Sequence, residues 1–283
     1  MYRFTLTEAR PTHTRALFGL TLVFLALGAA ALAVGCGDRG ARSHETTTAS
    51  LPTTTSATAP APVTPPAPPA PTESHYKLAL TAWRGGDRDS AVKEFRAAIA
   101  EDSAKLPPRL NLSRVLLEQG KAKEALVEIQ GVLGIDSTSG SAFRLEGRAQ
   151  DLLGHTDSAV AAYQHAIVLN DQDAWAMNNL ALLDVKRGEL GEALKAAARA
   201  VEISGTATFR NTLGVTLERT GHYAAAAEAY RSALSADSGF TRASVNLTRV
   251  SALADSTGTP AVDLAASALD FMREIEGWKS PKN

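Results

Sequence analysis

The sequence predicts an all-α fold in which helix–turn–helix units stack side by side into a solenoid. The first observation is a period, because five glycines recur along the chain at spacings of 34, 34, 34 and 33 residues. They are Gly86, Gly120, Gly154, Gly188 and Gly221. The second observation is that an alanine follows each glycine by five residues, at Ala91, Ala125, Ala159, Ala193 and Ala226. Such a pattern is typical of arrays in which each unit buries its apolar face against its neighbours.

The composition agrees with a helical array and excludes several other classes of protein. Hydrophobic residues make up 45% of the chain, and much of this is alanine, the best helix former. The formal net charge is −1, so no overall positive field favours nucleic acid as a partner. The single cysteine, Cys36, excludes a framework of intrachain disulfides and an all-cysteine metal cage.

The second unit shows how each helix pair is predicted. Leu112, Val115 and Leu116 fall on one face of a first helix, which we call helix A of the unit. Ala125 and Ile129 fall on one face of a second helix, helix B. The recurring glycine between the two helices suits a left-handed turn that other residues adopt only with strain.

Five glycine-centred units occupy residues 74–238, and residues 239–283 follow them. The last segment repeats the helix A pattern and then contains Pro260, which we expect to open a final amphipathic helix. We interpret this segment as a degenerate sixth repeat whose helices cap the stack, because the last unit of an array must cover an exposed core. The alternative is a mobile final helix that lies in the groove or docks on a partner.

The N-terminal segment, residues 1–35, is organised like a secretory signal. Three arginines precede an apolar run that ends at Val34, and Gly35 and Cys36 follow it. This junction resembles the signal of bacterial lipoproteins, in which the cysteine is lipidated and becomes the new N terminus. The resemblance implies lipidation of Cys36 and a place in the cell envelope, facing the periplasm or the extracytoplasmic surface. The alternative is an uncleaved transmembrane anchor, since about 19 apolar residues just span a bilayer.

Residues 36–73 form a linker that is rich in proline, threonine and alanine. Such a segment cannot bury a core, so we expect an extended, largely polyproline II spacer between the lipid and the helices. Gly37 rather than aspartate follows Cys36. In the sorting rule of the lipoprotein family this slightly favours the outer membrane.

Helix–turn–helix units of 34 residues with this pattern resemble the tetratricopeptide repeat family. The family also places leucine and then a small residue in helix A, and four units comply: Leu78-Ala79, Leu112-Ser113, Leu180-Ala181 and Leu213-Gly214. The third unit has Glu146-Gly147 instead, so we expect its helix A to pack less tightly. The resemblance implies a right-handed superhelical solenoid with a concave groove lined by the A helices.

Catalysis finds little support, and we interpret the protein as non-enzymatic, with no cofactor and no metal. The sequence contains no metalloprotease, phosphate-loop or nucleophile-elbow motif. His75 and His165 have no carboxylate or cysteine at ligand spacing on the same helix face. Asp171 and Asp173 are similar to a fragment of a calcium loop, but no glycine or distal glutamate completes it. A helix cap is therefore the better interpretation.

The groove that the resemblance implies would collect basic and amide side chains. Its candidate residues are Arg114, Arg144, Arg148, Trp175, Asn178, Asn179, Asn211, Arg219, Arg242 and Arg249. Guanidinium groups bind carboxylates through two parallel hydrogen bonds, and asparagine can hold a peptide backbone. Some family members bind a C-terminal carboxylate at positions that here carry Arg144, Arg148 and Asn179, although Thr208 and Thr212 replace the next basic pair. The alternative is that the arginines pair with acids and only solvate the surface.

Together these expectations predict a non-enzymatic scaffold or adaptor of the cell envelope. Its groove would bind a peptide or helix of another envelope protein, with an acidic or C-terminal segment as the best fit. The N-terminal lipid would contact the membrane, and nucleic acid is not an expected partner. Two alternatives stay open. The first is an assembly factor for a pilus or secretion machine, similar to pilotin lipoproteins. The second is a regulator of a cell-wall hydrolase.

Overall fold

A computed structural model describes residues 74–255 and 259–280 of the chain. The predicted signal, its lipidation site Cys36 and the predicted linker lie outside these residues. The described part consists of helices and their connections: α1 His75–Arg84, α2 Arg88–Glu101, α3 Leu106–Glu118, α4 Ala122–Ile135, α5 Gly140–Leu152, α6 Thr156–Leu169, α7 Ala174–Arg187, α8 Leu190–Ile203, α9 Ala207–Arg219, α10 Tyr223–Ala236, α11 Thr241–Val250 and α12 Leu264–Lys279. Within this part, no helix is both long enough and apolar enough to traverse a bilayer.

The first ten helices form five consecutive pairs, α1/α2 through α9/α10. Each B helix also packs on the A helix that follows it, and from α3 onward each A helix packs on the A helix of the next unit. The A helices therefore lie side by side on one surface of the array, and the B helices lie on the other. This arrangement confirms the predicted all-α solenoid of helix–turn–helix units.

The five periodic glycines connect the helices of each pair in the left-handed region, with φ between 74° and 84°. At Gly188, which ends α7, the amide donates to the carbonyl oxygens of Asp184 and Val185. A residue with a side chain would be strained at φ of +79°, whereas glycine adopts this conformation and ends the helix without steric strain. The predicted turn at each period is confirmed.

The third unit does not pack loosely, contrary to the expectation from Glu146-Gly147. A Cβ atom added to Gly147 would lie 2.7 Å from the ring of Tyr163, which shows how closely α5 approaches α6. The same contact recurs in the fifth unit, where a Cβ at Gly214 would lie 2.5 Å from Tyr230. The expectation was wrong because glycine makes room for a large B-helix ring, which then fills the space between the helices.

Helices α11 and α12 do not pack on each other as a sixth unit would. Helix α11 packs on α10 and α9, as an A helix does, whereas α12 packs on α8 and α6. On α12, Ala268, Phe271 and Ile275 are buried in the core. The physical reason is the surface of α8, whose alanines leave an apolar outer face that α12 covers. The final helix also begins at Leu264, with Asp263 as its N-cap, rather than at Pro260.

Candidate functional site

The A helices of the first four units enclose a concave pocket, which we call the groove pocket. Its volume is about 390 Å³. It is lined by Trp83, Arg114, Leu117, Glu118, Arg144, Leu145, Arg148, Trp175 and Asn179. These residues lie on α1, α3, α5 and α7, so four successive units line the same pocket. A ligand that fills it would contact the side of the array formed by the A helices.

Arg144 is fixed in the pocket by an ion pair with the next unit. Its Nε donates to Oδ2 of Asp173 at 2.9 Å, and the two side chains are only 19% and 11% exposed. The other carboxylate oxygen of Asp173 accepts the amide of Ala176 at 3.0 Å and caps α7. Because the pair uses only Nε, the terminal nitrogens of the guanidinium are available to a ligand.

Arg114 lies beside Arg144 and is held by a hydrogen-bonded chain of side chains. Its Nη1 donates to Oδ1 of Asn111 at 2.9 Å, and Nδ2 of Asn111 donates to the Tyr76 hydroxyl at 3.0 Å. Burial lowers the pKa of Arg114, and the positive charge of Arg144 lowers it further. Guanidinium groups stay protonated even so, and two neighbouring cations are stabilised when an anion binds between them.

Arg148 and Asn179 complete the polar side of the pocket. Arg148 is exposed and forms no ion pair with any residue in the described part of the chain. Asn179 lies near the hydroxyl of Tyr163, whose pKa is raised by burial, so the phenol stays neutral. Arg148 is therefore the cation whose bonding capacity is most freely available to a ligand.

Glu118 is the one carboxylate that lines the pocket, and it is already paired. It accepts a hydrogen bond from Nε of Arg88 at 3.0 Å and one from Nε1 of Trp83 at 3.3 Å. The lining residues and their ion-pair partners thus comprise four arginines and two carboxylates. The pocket keeps an excess of two positive charges, although the chain as a whole has a net charge of −1.

Two tryptophans supply the apolar walls of the pocket. Trp175 is 49% exposed and meets Phe209 edge-on at 4.9 Å between ring centroids. Trp83 is half-buried and packs edge-on against Phe95. Each ring is therefore held in place by a neighbour while part of its surface faces the pocket. Large aromatic surfaces of this kind are typical anchors for bound peptides.

The structure brings half of the predicted groove residues together, namely Arg114, Arg144, Arg148, Trp175 and Asn179. Arg219 and Arg242 are exposed but lie outside the pocket. Asn211 accepts a hydrogen bond from Asn246 across neighbouring A helices. Arg249 donates two hydrogen bonds to Glu218, as expected if some of the arginines pair with acids.

Asn178 is also absent from the pocket lining. It is only 2% exposed, and its Nδ2 donates weakly to Asn179 at 3.4 Å. Its Oδ1 is buried without a hydrogen-bond partner among the described residues. Asn178 therefore belongs to the interior of the array rather than to the surface that a ligand contacts.

Sequence reasoning did not include four lining residues in the candidate set: Trp83, Leu117, Glu118 and Leu145. The repeat phase carried a signal for two of them. Leu145 shares with the candidate Asn179 the position nine residues before the glycine of its unit. Glu118 shares with the candidate Arg219 the position two residues before the glycine. Extending the candidate set along equivalent positions would have found these two residues, but not Trp83 and Leu117, whose position three residues before the glycine holds no candidate.

Metal chemistry has no support in residues 74–255 and 259–280, which contain no group of three or more histidine, cysteine or acidic side chains able to hold an ion. Asp173 caps α7 and pairs with Arg144, which agrees with the helix-cap interpretation of this segment. The site's chemistry is that of a positively charged pocket between aromatic walls.

Comparisons with known proteins agree with the repeat architecture. The sequence pattern described as Tetratricopeptide repeat matches residues 76–139 and 179–241. Human Tetratricopeptide repeat protein 7A is 29% identical over 126 residues, which are 44% of this chain and 15% of that protein. The chain thus spans only a small part of the length of this relative.

Two solved structures show the same fold. A thermophilic TPR protein of Thermus thermophilus superposes with a TM-score of 0.58 at 18% identity and covers 63% of this chain and 98% of its own. A tetratricopeptide repeat protein from Parabacteroides merdae superposes with a TM-score of 0.50 at 16% identity and covers 75% of this chain and 80% of its own. The protein therefore carries tetratricopeptide repeats.

Proposed function

We propose that this protein is a non-enzymatic scaffold of the cell envelope that captures an acidic peptide segment of a partner protein in the groove pocket. Tetratricopeptide repeats in general serve protein–protein interaction, and the groove pocket supplies the specific chemistry. The observation that carries the proposal is the convergence of Arg114, Arg144 and Arg148 between two tryptophans. Three cations beside one already paired carboxylate create a site for a negatively charged group.

The binding mode follows from which donors remain available. A carboxylate of the peptide, from a side chain or from the C terminus, accepts hydrogen bonds from Arg148 and from the terminal nitrogens of Arg144. Asn179, in the next A helix, is placed to hold the peptide backbone. Apolar residues of the peptide lie against Trp83 and Trp175. The pocket thus favours an extended segment in which a carboxylate is flanked by apolar side chains.

The proposed location rests on the sequence before the repeats. A lipid on Cys36 would anchor the chain in the envelope, and the outer membrane is slightly favoured by Gly37. A proline-rich spacer over residues 36–73 would reach up to about 100 Å, at roughly 3 Å per residue of polyproline II. The repeats would then capture their partner away from the membrane surface.

Fluorescence anisotropy tests the groove with the full chain purified in detergent. The probe is a short fluorescein-labelled peptide with a tryptophan followed by two C-terminal glutamates, compared with its two-glutamine, amidated counterpart. We expect the acidic probe to bind, the neutral probe to bind at least about tenfold more weakly, and Arg148→Ala to weaken the acidic probe about tenfold. Arg242→Ala is the matched control, because it removes an exposed arginine outside the pocket that forms no ion pair with a described residue.

Two results would contradict the groove assignment. Equal losses in Arg148→Ala and Arg242→Ala would mean that the probe responds to overall charge and not to the pocket. Equal affinity for the acidic and neutral probes would mean that the arginines do not bind carboxylates.

A separate experiment tests the envelope anchor. Cells that express the wild-type chain or Cys36→Ser are grown with radiolabelled palmitate, and the membrane fraction is compared. We expect label in the wild type and none in the variant. Label in both chains, or in neither, would contradict a lipid on Cys36. A partner captured only by the anchored wild-type chain would then distinguish a secretion component from a cell-wall hydrolase.

A further inference from the structure

The last helix and the groove pocket meet at one short turn. Residues 170–173, which we call the α6–α7 turn, connect the B helix of the third unit to the A helix of the fourth. On one side, Oδ2 of Asp171 accepts a hydrogen bond from Nζ of Lys279, the last residue of α12, at 2.9 Å. On the other side, Asp173 accepts the hydrogen bond from Nε of Arg144. A single residue, Gln172, therefore separates the contact with α12 from the contact with Arg144 of the groove pocket.

Helix α12 is held on the B-helix side of the array by both apolar and charged contacts. Phe271 and Ile275 are buried in the same core cluster as α8. Glu274 accepts a hydrogen bond from Nζ of Lys195 at 2.5 Å, and both side chains are largely buried. Burial raises the pKa of Glu274, whereas the hydrogen bond to Glu274 raises the pKa of Lys195 and keeps the lysine charged. Helix α12 is therefore a docked element of the fold and places Lys279 at the turn.

The α6–α7 turn is braced by three hydrogen bonds among its own residues. The amide of Gln172 donates to Oδ1 of Asn170, and the amide of Asp173 donates to the carbonyl oxygen of Asn170. The side chain of Gln172 also donates to Oδ1 of Asp171. We therefore expect a shift at Asp171 to pass through this hydrogen-bonded unit to the carboxylate of Asp173.

We propose that α12 is a strap that fixes the α6–α7 turn from the B-helix side and thereby orients Arg144 in the groove pocket. Asp171 and Lys279 are then positioning residues for a ligand that neither of them touches. The proposal rests on the proposed function in one respect, namely that the groove pocket is the binding site. By thermodynamic linkage, a ligand bound at Arg144 strengthens docking of α12, and a partner that displaces α12 weakens binding at Arg144.

Hydrogen exchange on the full chain in detergent tests the strap without any ligand. Lys279→Ala removes the contact with the turn but leaves the buried face of α12 intact. We expect exchange in a peptide spanning residues 170–177, which includes the amide of Ala176 that Asp173 caps, to accelerate about threefold. Arg273→Ala is the matched control, because Arg273 lies on the same helix, is 70% exposed and pairs only with Asp270 of α12 among the described residues. The control is expected to exchange like the wild type.

A second variant undocks the whole helix. Phe271→Ala removes a buried ring and is expected to accelerate exchange both in α12 and in residues 170–177, by about tenfold or more. Unchanged exchange in α3 and α4 verifies that the rest of the array stays folded.

Two outcomes overturn the strap. In the first, Phe271→Ala accelerates α12 while residues 170–177 exchange as in the wild type. In the second, Lys279→Ala and Arg273→Ala are indistinguishable at the turn. A groove that binds no acidic probe contradicts the proposed function alone, because the exchange experiment measures the coupling of α12 to the turn directly.

Discussion

Arg144 and Asp173 form an ion pair that also closes the start of the next helix. Nε of Arg144 donates to Oδ2 of Asp173 at 2.9 Å, while Oδ1 of the same carboxylate caps α7. One aspartate thus joins the A helix of the third unit to the A helix of the fourth. The arginine that the sequence assigns to ligand binding is therefore also part of the structure between the repeats.

We expect Asp173→Ala to destabilise the array more than the loss of a helix cap alone. Losing the cap costs about 1 kcal/mol, and leaving a mostly buried guanidinium without its partner adds about 1–3 kcal/mol. Asp173→Asn keeps a side-chain oxygen that can cap α7, so we expect it to lose only part of the stability that Asp173→Ala loses. Urea unfolding followed by circular dichroism measures the difference.

The control for this prediction is Asp263→Ala at the start of α12. Asp263 caps α12 by accepting the amide of Ala266 at 2.9 Å and forms no ion pair with a described residue. We expect it to lose only the cap, about 1 kcal/mol. If Asp173→Ala costs no more than Asp263→Ala, the ion pair with Arg144 contributes nothing to stability.

Arg148 and Arg144 are expected to separate binding from stability. Arg148 is exposed and has no ion-pair partner in the described part of the chain, so Arg148→Ala should change the free energy of unfolding by less than about 0.5 kcal/mol while weakening the acidic probe. Arg144→Ala leaves Asp173 without its cation and should lower both affinity and the free energy of unfolding, the latter by about 1–3 kcal/mol. Thermal melting and probe anisotropy on the same samples measure both quantities. Equal melting temperatures for the two variants would contradict the structural role of Arg144.

The repeat architecture was predictable because each unit imposes the same backbone requirement. A left-handed turn favours glycine, and close helix packing favours small residues. Both residue types therefore recur at the same positions in all five units. Gly147 shows where this reasoning fails. The absence of leucine at Glu146 suggested loose packing. The ring of Tyr163, sixteen residues after Gly147, nevertheless fills the space beside this glycine. The sequence pattern of one helix does not predict which side chains of the neighbouring helix pack against it.

The sequence predicted on which helix face each candidate residue lies, but not which side chain it pairs with. Repeat phase placed Arg114, Arg144 and Arg148 on A helices that line one pocket. It could not assign the partner of Arg144, which lies 29 residues away in the next unit, or the pairing of Arg249 with Glu218. Such pairs depend on side-chain conformations and on how neighbouring units are rotated. The docking of α12 on α8 was equally hidden, since an apolar stripe shows that a helix is buried but not against which neighbour.

Gly147→Ala is expected to destabilise the array although alanine is the better helix former. The added Cβ would lie 2.7 Å from the Tyr163 ring, and overpacking of this kind costs about 1–3 kcal/mol. Gly134→Ala is the control, because Gly134 lies in α4 with no neighbouring atom within 4 Å of an added Cβ, and we expect stabilisation of about 0.5–1 kcal/mol.

A second-site change tests the cause of the Gly147→Ala effect. Tyr163→Leu removes the ring, so the combination Gly147→Ala with Tyr163→Leu should be more stable than the sum of the two single changes predicts. Chemical denaturation of all four chains gives this coupling energy. Strict additivity would show that the ring of Tyr163 is not what excludes a side chain at position 147.

The contact that docks α11 is expected to weaken in acid. Burial alone would raise the pKa of Glu218, but hydrogen bonds from Arg249 and Tyr230 outweigh it and hold the pKa below the usual value of 4.5. The folded state favours the charged carboxylate. The contribution of Glu218 to the free energy of unfolding is therefore complete above pH 4.5 and is lost as the pH falls through the lower folded-state pKa. The C-terminal end of the array therefore loses part of its stability as the pH falls below 4.5.

Glu218→Gln removes this titration and is the variant that measures it. We expect the wild type to lose more stability than Glu218→Gln between about pH 6 and pH 3, by about 1 kcal/mol, because the partner Arg249 is half exposed to solvent. Glu124→Gln is the control, since Glu124 and its partner Arg96 are both about half exposed and their pair should contribute little. Thermal melting across this pH range measures all three chains. Parallel losses in the wild type and Glu218→Gln would show that the acid sensitivity arises from other carboxylates.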